Sequence, residues 1–286
     1  MISVGVPVII VGNITAGGSG KTPLVIWLVN WLRLQGYRPG VVSRGYGGSA
    51  RGCVEVNPDS LAAEVGDEPL LIRAKTNAPV VVGGDRVAAA RMLIAQHQVD
   101  LIVADDGLQH YRLHRDLELA VVDAATGLGN GWPLPAGPLR EPKARLHSVD
   151  AVIQVVRGDS PPTATIPVPT WRADYTAGQA YRLCAQHEKV ALSDLPLRDW
   201  LAITGIGRPQ GFFDMLEARK IRFTPRIFAD HYAFKKDDLP VDGAVLMTEK
   251  DAVKCEGFAG PDWWAIALEV SPERGFIDWL GTRFKQ

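Results

Sequence analysis

The residues with the clearest chemical meaning lie between positions 12 and 23, which read Gly-Asn-Ile-Thr-Ala-Gly-Gly-Ser-Gly-Lys-Thr-Pro. Glycines let backbone N–H groups approach a polyphosphate closely, and a helix N-terminus adds the positive end of its dipole. In such a loop, Lys21 would contact the β- and γ-phosphates, and the Thr22 hydroxyl would ligate Mg²⁺. The spacing therefore predicts a phosphate-binding loop for a polyphosphate.

The segments on either side of this loop support the prediction. An apolar run at 6–11 is typical of a buried strand, and residues 24–34 have the apolar spacing of a helix. The usual pattern has a glycine five positions before Gly20, where this chain has Thr15. A Gly-Lys-Thr triplet can arise by chance in a turn, but the flanking strand and helix argue against chance. The predicted phosphate-binding residues are Thr15, Gly17, Gly18, Ser19, Gly20, Lys21 and Thr22.

An acidic pair, Asp105 and Asp106, follows an apolar strand at 100–104. A strand that ends in a carboxylate is the usual partner of a phosphate loop, because the carboxylate holds Mg²⁺ directly or through water. Ligands of parallel sheets gather at the carboxyl ends of the strands, where the loop after 6–11 also lies. Two aspartates can instead cap a strand and solubilise a turn, but beside a phosphate loop the pair favours metal binding.

A second acidic pair, Asp67 and Glu68, lies between Gly66 and Pro69 at a turn that opens a helix. One carboxylate can join the shell of Mg²⁺, and the other can accept the proton of an attacking hydroxyl. Asp67 can equally be an ordinary helix N-cap. The local sequence does not choose between these interpretations.

Three arginines lie in glycine- or proline-rich turns, where a rigid loop can hold a guanidinium against a phosphate. They are Arg44, Arg86 and Arg140. Arg140 is the best candidate, because prolines stiffen the segment around it. Most surface arginines have no such role.

Histidines add little on their own. His231 is isolated in Phe-Ala-Asp-His-Tyr, and His110 and His114 are four residues apart without a third metal ligand, so we interpret the last two as structural. The segment 248–251, Thr-Glu-Lys-Asp, differs from the guanine-reading Asn-Lys-x-Asp of GTPases in both asparagine and lysine positions, which argues against guanine specificity.

The elements that position these groups follow from the hydrophobic pattern. Continuous apolar strands that alternate with helices predict a parallel sheet covered on both faces, and hence an α/β fold of the P-loop NTPase type. The predicted strands of the first half lie at 6–11, 40–43, 80–82, 100–104, 117–122 and 151–156, and the predicted helices at 23–35, 69–74 and 85–97.

A proline-rich change of composition at 158–169 predicts a connector. We therefore predict a P-loop nucleotide-binding and catalytic domain at 1–157 and a second, smaller α/β domain at 158–286, with a cleft between them. The last helix can pack back onto the first domain. The later predicted strands lie at 201–204, 244–247 and 265–268, and the helices at 210–220 and 272–284.

Composition narrows the functional classes. The net charge of −1 over 286 residues provides no global field for nucleic acid or an anionic membrane. The three cysteines, Cys53, Cys184 and Cys255, form no CxxC pair, which argues against a disulfide framework or a zinc site. No apolar run reaches the ~18 residues of a membrane span, and no signal peptide precedes the first strand, so we expect a cytoplasmic protein.

At this point the motifs resemble a known family, the tetraacyldisaccharide 4′-kinases, which are the lipid A kinases of Gram-negative bacteria. Thr15 in the loop is normal for that family. The resemblance covers nearly the whole chain and rests on seven motifs in order: 11–15 (Val-Gly-Asn-Ile-Thr) leading into 17–23 (Gly-Gly-Ser-Gly-Lys-Thr-Pro), 43–47 (Ser-Arg-Gly-Tyr-Gly), 66–69 (Gly-Asp-Glu-Pro), 105–110 (Asp-Asp-Gly-Leu-Gln-His), 135–142 (Pro-Ala-Gly-Pro-Leu-Arg-Glu-Pro), 230–232 (Asp-His-Tyr) and 248–251 (Thr-Glu-Lys-Asp).

The resemblance implies an activity. The family transfers the γ-phosphoryl group of ATP to the 4′-hydroxyl of a tetraacylated glucosamine disaccharide 1-phosphate and forms lipid IVA. By this resemblance, Lys21 and Thr22 contact the phosphates and Mg²⁺, Glu68 and Asp105 help to bind Mg²⁺, Asp67 is the base in a dyad with His231, and Arg140 stabilises the transferred group. We count Asp106 with Thr22, Glu68 and Asp105 as a metal ligand.

The resemblance also implies a location at the cytoplasmic face of the inner membrane. Family members usually have an N-terminal hydrophobic helix, whereas this sequence begins almost at its first strand. We therefore expect weak or peripheral attachment. Trp132, Trp263 and Trp264 are candidates for contact with lipid, although each can equally pack in the core.

Two other functions also fit a phosphate loop. A nucleotide switch or partitioning-type ATPase often has a second lysine early in the loop, where this chain has Ala16. A P-loop ligase or kinase with a soluble substrate would need no apolar groove at the mouth of the cleft.

Overall fold

The first half of the chain alternates strands and helices. The computed structural model describes residues 1–158, 166 and 168–284, and the connector predicted at 158–169 lies largely outside them. The strands of this half are β1 (Val8–Gly12), β2 (Pro39–Ser43), β3 (Cys53–Glu55), β4 (Val80–Gly83), β5 (Leu101–Asp105), β6 (Leu117–Asp123) and β7 (Ala151–Val156), and its helices are α1 (Lys21–Leu34), α2 (Ala62–Val65), α3 (Asp67–Thr76) and α4 (Arg86–His97).

The second half has more strands than helices. Its strands are β8 (Thr170–Arg182), β9 (Ala185–Val190), β10 (Trp200–Thr204), β11 (Phe223–Ile227), β12 (Val245–Thr248) and β13 (Trp263–Pro272), and its helices are α5 (Gln210–Ala218), α6 (Glu249–Ala252) and α7 (Arg274–Arg283). Within the described residues, all thirteen strands belong to one hydrogen-bonded sheet, in the order β11-β10-β12-β13-β8-β7-β6-β1-β5-β2-β4-β3, with β9 beside β8.

Strand β1 lies at the centre of the first half, between β5 and β6, and all three are parallel. Val11 is in register with Asp105 of β5, and Gly12 with Ala120 of β6. Because parallel strands end at the same edge of a sheet, the loop after β1 lies beside the residues that follow β5 and β6.

The two faces of this part of the sheet have separate cores. Ile9 and Val11 pack with α1, α3 and α7, whereas Val8 and Ile10 pack with α4. All four side chains are fully buried, as expected for a strand covered on both faces. The burial of β1 therefore fixes the start of the loop that follows it.

The long strand β8 joins the two halves. It runs parallel to β7 as far as Asp174 and antiparallel to β13 as far as Arg182. Strands β10 and β12 are parallel to β13, so they run opposite to β1 and their carboxyl ends point back toward those of the first half. The two sets of strand ends meet across a cleft, where a Cβ on Gly207 would lie 4.0 Å from the Gly18 nitrogen.

The predicted α/β fold with helices on both faces of a mostly parallel sheet is confirmed. The sequence does not predict β3, β8, β9 and β11, because these strands lack continuous apolar runs: β9 is polar and β11 is a largely exposed edge. The division into domains at 157 stays a prediction. The sheet is continuous through both halves, and Phe276 of α7 packs 5.8 Å from Trp27 of α1 between ring centres.

The three tryptophans considered for lipid contact differ in their exposure to solvent. Trp132 is 63% exposed, whereas Trp263 and Trp264 are buried in the core of the second half, so the suggestion was wrong for these two. Their strand, β13, lies inside the sheet between β12 and β8, and the two side chains belong to separate apolar cores. Among the described residues, no helix has both the length and the apolar character needed to cross a bilayer.

Candidate active site

The phosphate loop begins where β1 ends and closes where α1 begins. Gly20 caps α1 in the left-handed region, with φ of 83°, which glycine adopts without steric cost. Gly17 also has positive φ, and a Cβ on either Gly17 or Gly18 would meet nothing within 4 Å. The backbone of the loop is therefore open on the side where a polyphosphate would be bound.

Asn13 organises this loop from inside. Its side chain is completely buried, and its Oδ1 accepts a hydrogen bond from Lys21 Nζ at 2.9 Å. Its Nδ2 donates to the carbonyl and the hydroxyl of Thr15, at 2.7 and 3.1 Å. Thr15 thus has a polar contact that a glycine at this position could not make. The sequence pattern gives no sign of this role for Asn13.

The segment that contains Arg140 is hydrogen-bonded to the phosphate loop through its backbone. The Arg140 N–H donates to the Ile14 carbonyl at 2.6 Å, and the Ala16 N–H donates to the Pro138 carbonyl at 2.7 Å. These bonds form a short bridge between Thr15 and Leu139. The position of the Arg140 guanidinium is therefore tied to the loop itself.

Lys21 and Arg140 converge on Asp106. Lys21 Nζ lies 3.2 Å from Asp106 Oδ1, and Arg140 donates to both carboxylate oxygens at 3.1 and 2.9 Å. Burial alone would raise the pKa of Asp106, but the charges of Lys21 and Arg140 lower it. Asp106 has a left-handed backbone with φ of 50°, which is uncommon outside glycine. The structure thus gives Asp106 two cationic partners.

Asp105 is buried beside these groups and only partly satisfied. Its Oδ2 accepts from Ser43 Oγ at 3.2 Å, but among the described residues its Oδ1 has no hydrogen-bond partner. Burial, followed by the negative charge of Glu68, raises the pKa of Asp105 to about 7. A divalent cation would satisfy the orphaned oxygen and offset this repulsion, so these side chains fit Mg²⁺.

Thr22 lies in the first turn of α1 and is largely buried. In the described ranges, no group of three or more His, Cys, Asp or Glu side chains forms a metal centre by itself. A magnesium ion here would therefore depend on phosphate and water oxygens as well as protein oxygens, as is usual for this ion. The metal roles of Thr22, Glu68, Asp105 and Asp106 stay predictions.

Asp67 and His231 meet across the cleft. His231 Nδ1 lies 3.0 Å from both carboxylate oxygens of Asp67, which is 3% exposed. Burial would raise the pKa of Asp67, but the hydrogen bond from His231 and the charge of Lys250 lower it. The same hydrogen bond raises the pKa of His231. His231 has φ of 58°, so its turn holds an uncommon backbone conformation.

Two lysines of the second half lie next to the acidic pair Asp67 and Glu68. Lys250 Nζ lies 3.1 Å from Glu68 Oε1 and 3.9 Å from Asp67 Oδ2. Lys254 Nζ lies 4.0 Å from Asp67 Oδ2 and 2.8 Å from the buried Asp251. The motif at 248–251 thus supplies a cation to the acidic pair. Its place in the sequence suggested no such contact.

The other candidates have different surroundings. Arg44 is exposed, whereas Arg86 is buried. The Arg86 guanidinium donates a hydrogen bond to the Gly83 carbonyl. Burial lowers the pKa of Arg86, although the charges of Asp105 and Asp106 act in the opposite direction. His114 lies 3.6 Å from Asp116 near the surface. Arg86 therefore faces Asp105 and Asp106 at the end of β5, and Arg44 lies near enough for its charge to lower the pKa of Arg86 further.

The candidate residues occur in two groups that share one cleft. Lys21, Asp106 and Arg140 surround the phosphate loop, and Asp67 and His231 lie opposite. Asp105 connects the two groups, because it interacts electrostatically with both Lys21 and Glu68. The fold and the loop define the class, a P-loop α/β protein with the side chains of a phosphotransferase.

Comparison with known proteins gives the particular family. The model of the family described as tetraacyldisaccharide-1-P 4'-kinase matches residues 1–285. A protein of Thiobacillus denitrificans named tetraacyldisaccharide 4'-kinase is 70% identical over 283 residues, which are 99% of this chain and 86% of that protein. The chain therefore belongs to the tetraacyldisaccharide 4′-kinase family, and the resemblance inferred from the seven motifs is confirmed.

More distant relatives are members of the same family. A tetraacyldisaccharide 4'-kinase of Pseudomonas paraeruginosa is 45% identical, over 98% of this chain and 83% of that protein. The crystal structure of LpxK from Aquifex aeolicus, solved in complex with ATP, is 28% identical and superposes with a TM-score of 0.86, over 100% of this chain and 90% of that one. The fold of the family is thus present across the whole chain.

Proposed function

We propose that this protein transfers the γ-phosphoryl group of ATP to the 4′-hydroxyl of a tetraacylated glucosamine disaccharide 1-phosphate and forms lipid IVA. The observation that carries the proposal is the presence in one cleft of a paired Asp67–His231 dyad and of Lys21 and Arg140 at the phosphate loop. The named activity of the relatives and the ATP in the Aquifex aeolicus structure support the same conclusion.

In this reaction Asp67 is the general base. The 4′-hydroxyl oxygen forms a bond to the γ-phosphorus while its proton passes to the Asp67 carboxylate. The bond from the γ-phosphorus to the bridging oxygen breaks, and ADP leaves. Against the effect of burial, the hydrogen bond from His231 and the charge of Lys250 lower the pKa of Asp67, which favours the ionised carboxylate that this step needs. His231 donates a hydrogen bond to that carboxylate and holds its orientation.

Lys21 and Arg140 provide the positive charge for the transferred group. Phosphoryl transfer places negative charge on the equatorial and leaving oxygens, and fixed cations stabilise it without reorganisation. Because Arg140 is tied to Ile14 of the loop by a backbone hydrogen bond, its guanidinium is positioned together with the loop. Asp106 orients both cations toward the same point.

Mg²⁺ is the metal that these residues would hold. Thr22, Glu68, Asp105 and Asp106 are the proposed protein ligands, directly or through water. When bound, the ion supplies charge neutralisation for the β- and γ-phosphates. The orphaned Oδ1 of Asp105 is the observation that supports this proposal.

The test measures phosphate transferred to the acylated disaccharide together with ATP binding. We expect Asp67→Ala to lose transfer by at least ~10²-fold while ATP binding is largely kept. Asp199→Ala, at an 80% exposed side chain that lies 3.4 Å from Arg222, is the matched control. Wild-type turnover by Asp67→Ala would disprove the base assignment. ATP hydrolysis by the wild type without phosphorylated lipid would instead support a nucleotide switch.

We also propose peripheral attachment to the cytoplasmic face of the inner membrane. The acceptor has four acyl chains, so it resides in a bilayer, and the loop that ends at Arg140 exposes Trp132 and Leu134 at 63% and 57%. Apolar side chains next to a catalytic loop are suited to contact with lipid. Vesicle flotation tests this: Trp132→Ala should reduce the bound fraction, and Leu197→Ala, at a 98% exposed leucine elsewhere, should not.

A further inference from the structure

A further ion pair connects the two halves of the protein, toward the opposite end of α3 from Asp67. Lys75, in the last turn of α3, contacts Oε1 of Glu249, the first residue of α6. The Lys75 side chain is 33% exposed and that of Glu249 is 10% exposed. The transfer step described above gives no role to either residue, although Glu249 belongs to the motif at 248–251.

We propose that Lys75 and Glu249 are positioning residues for phosphoryl transfer: by joining α3 to α6, they hold His231 of the second half against Asp67 of the first. This inference rests on the proposed function and deepens it, because it adds residues that act through the Asp67–His231 pair and not on the substrate.

Glu249 is fixed within the second half. Its Oε2 accepts a hydrogen bond from the Leu268 N–H at 3.1 Å, where the register of β13 against β8 shifts. Tyr181 of β8 forms a hydrogen bond with the same carboxylate. Burial, followed by the charge of Glu249, raises the pKa of Tyr181, so its hydroxyl stays protonated and donates. Two neighbouring strands therefore hold the carboxylate independently of Lys75.

Lys75 brings the first half to this carboxylate. Its Nζ contacts Glu249 and also lies 4.7 Å from the centre of the Tyr181 ring. A carboxylate and an aromatic face both attract an ammonium group. Removing one member of a largely buried pair is costly, because the other charge is left without its partner. Loss of Lys75 should therefore favour states in which Glu249 moves away from α3 and toward water.

The place of this pair along α3 restrains the orientation of α6. Lys75 lies eight residues after Asp67, which begins α3, or about 12 Å along the helix axis. The contacts of His231 and Lys250 both lie at the start of α3. Contacts at one end alone restrain α6 poorly against rotation about that end. The Lys75–Glu249 pair supplies a second point, which opposes this rotation.

Hydrogen bonds transmit the position of α6 to His231. Asp251, two residues after Glu249, is completely buried and accepts from the Gly205 N–H at 3.2 Å. The Gly205 carbonyl in turn accepts from the His231 N–H at 3.1 Å. A shift of α6 would therefore pass through Gly205 to His231. A misplacement of about 1 Å can slow a reaction by up to ~10²-fold.

The test measures kcat for phosphate transfer together with ATP binding. We expect Lys75→Met to lower kcat about tenfold with ATP binding unchanged, since the phosphate loop belongs to the first half. Lys75→Arg keeps the cation and should retain kcat near the wild-type value. Arg91→Met, at an exposed cation of α4 on the other face of the sheet, is the matched control. Wild-type kcat in Lys75→Met, or an equal loss of ATP binding, would overturn the inference.

Two double variants separate positioning from general stability. In a His231→Ala background, Lys75→Met should lower kcat by less than about threefold, because the group that it positions is absent. A full tenfold loss in that background would overturn the inference. Combining Lys75→Met with Glu249→Gln should lower kcat no further than the more severe single change, because both remove the same pair. Multiplied losses would show that the two residues act separately, which would also overturn it.

Amide hydrogen exchange gives a readout that does not depend on turnover. Lys75→Met should speed exchange in the turn at 229–232, which is tied to α6 through Gly205, and leave exchange in α4 unchanged. Unchanged exchange at 229–232 would overturn the inference even if kcat fell. If the wild type makes no phosphorylated lipid, the proposed function fails, and the exchange result still shows whether the pair positions His231.

Discussion

The two sides of the active-site cleft hold their charged groups in different ways. On the loop side, Lys21, Asp106 and Arg140 all belong to the first half, and backbone hydrogen bonds connect their segments. On the opposite side, Asp67 is held by His231 and Lys250, which come from the second half. The loop-side group is therefore built within one half, whereas the Asp67–His231 pair forms only when both halves are together.

The largest effect is expected on the loop side. Lys21→Met removes the cation nearest the phosphates and leaves Asp106 with one partner fewer. We expect ATP binding and turnover both to fall, turnover by ~10³-fold, as measured by calorimetry and by phosphate transfer. If turnover fell while ATP affinity stayed at the wild-type value, Lys21 would not contact the ground-state nucleotide. The loop side would then not be the part of the cleft that binds ATP.

A smaller effect is expected across the cleft. Lys250→Met removes the cation that pairs with Glu68 and lies 3.9 Å from Asp67, so kcat should fall about tenfold or more with ATP affinity within about threefold of wild type. Lys236→Met, at an exposed lysine of the same half, is the control. A loss of ATP affinity as large as the loss of kcat would mean that Lys250 acts with the loop-side residues instead.

The role of Asn13 sharpens the comparison further. Asn13→Ala removes the acceptor that holds Lys21 Nζ, so KM for ATP should rise about tenfold, as for one hydrogen bond to a charged group. The effect on kcat should be smaller, because Asp67 and His231 are unchanged. Asn57→Ala, at an exposed asparagine, is the control. A change in kcat alone would show that Asn13 does not act through the loop.

The smallest effect concerns the stability of the loop itself. Gly20→Ala forces a side chain into a left-handed position beside Arg157, so the free energy of unfolding should fall by about 1–2 kcal/mol. Gly211→Ala, within α5 and with nothing within 4 Å of its Cβ position, should raise that free energy by up to about 1 kcal/mol. Urea unfolding measures both. Equal values for the two variants would mean that the Gly20 backbone is not restrained.

Sequence reasoning succeeded where the residues of a feature are neighbours in the chain. The loop at 12–23 is contiguous, and Asp105 follows an apolar strand, so spacing alone predicts both. Asp67 and His231 are 164 residues apart, and no local pattern connects them. The family resemblance suggested that pair, whereas the residues themselves left Asp67 undecided between base and helix cap.

Other features near the loop could not be predicted, for physical reasons. Arg157 and Arg208 are single arginines outside the strands and helices, and they contact Asp123 only in the folded protein. Strand β8 lacks a continuous apolar run because it is half-buried along much of its length. These features depend on tertiary contacts between distant segments, which periodicity and spacing do not encode.

The pairing of β8 with β13 has a consequence for the distance between Asp67 and His231. The two strands form a ribbon whose register shifts between Ile266 and Leu268, and such an irregularity adds a local bend and twist. Each residue of a strand spans about 3.3 Å, which is comparable to the His231–Asp67 distance of 3.0 Å. We therefore expect an insertion or deletion of a single residue in this ribbon to move His231 out of contact with Asp67.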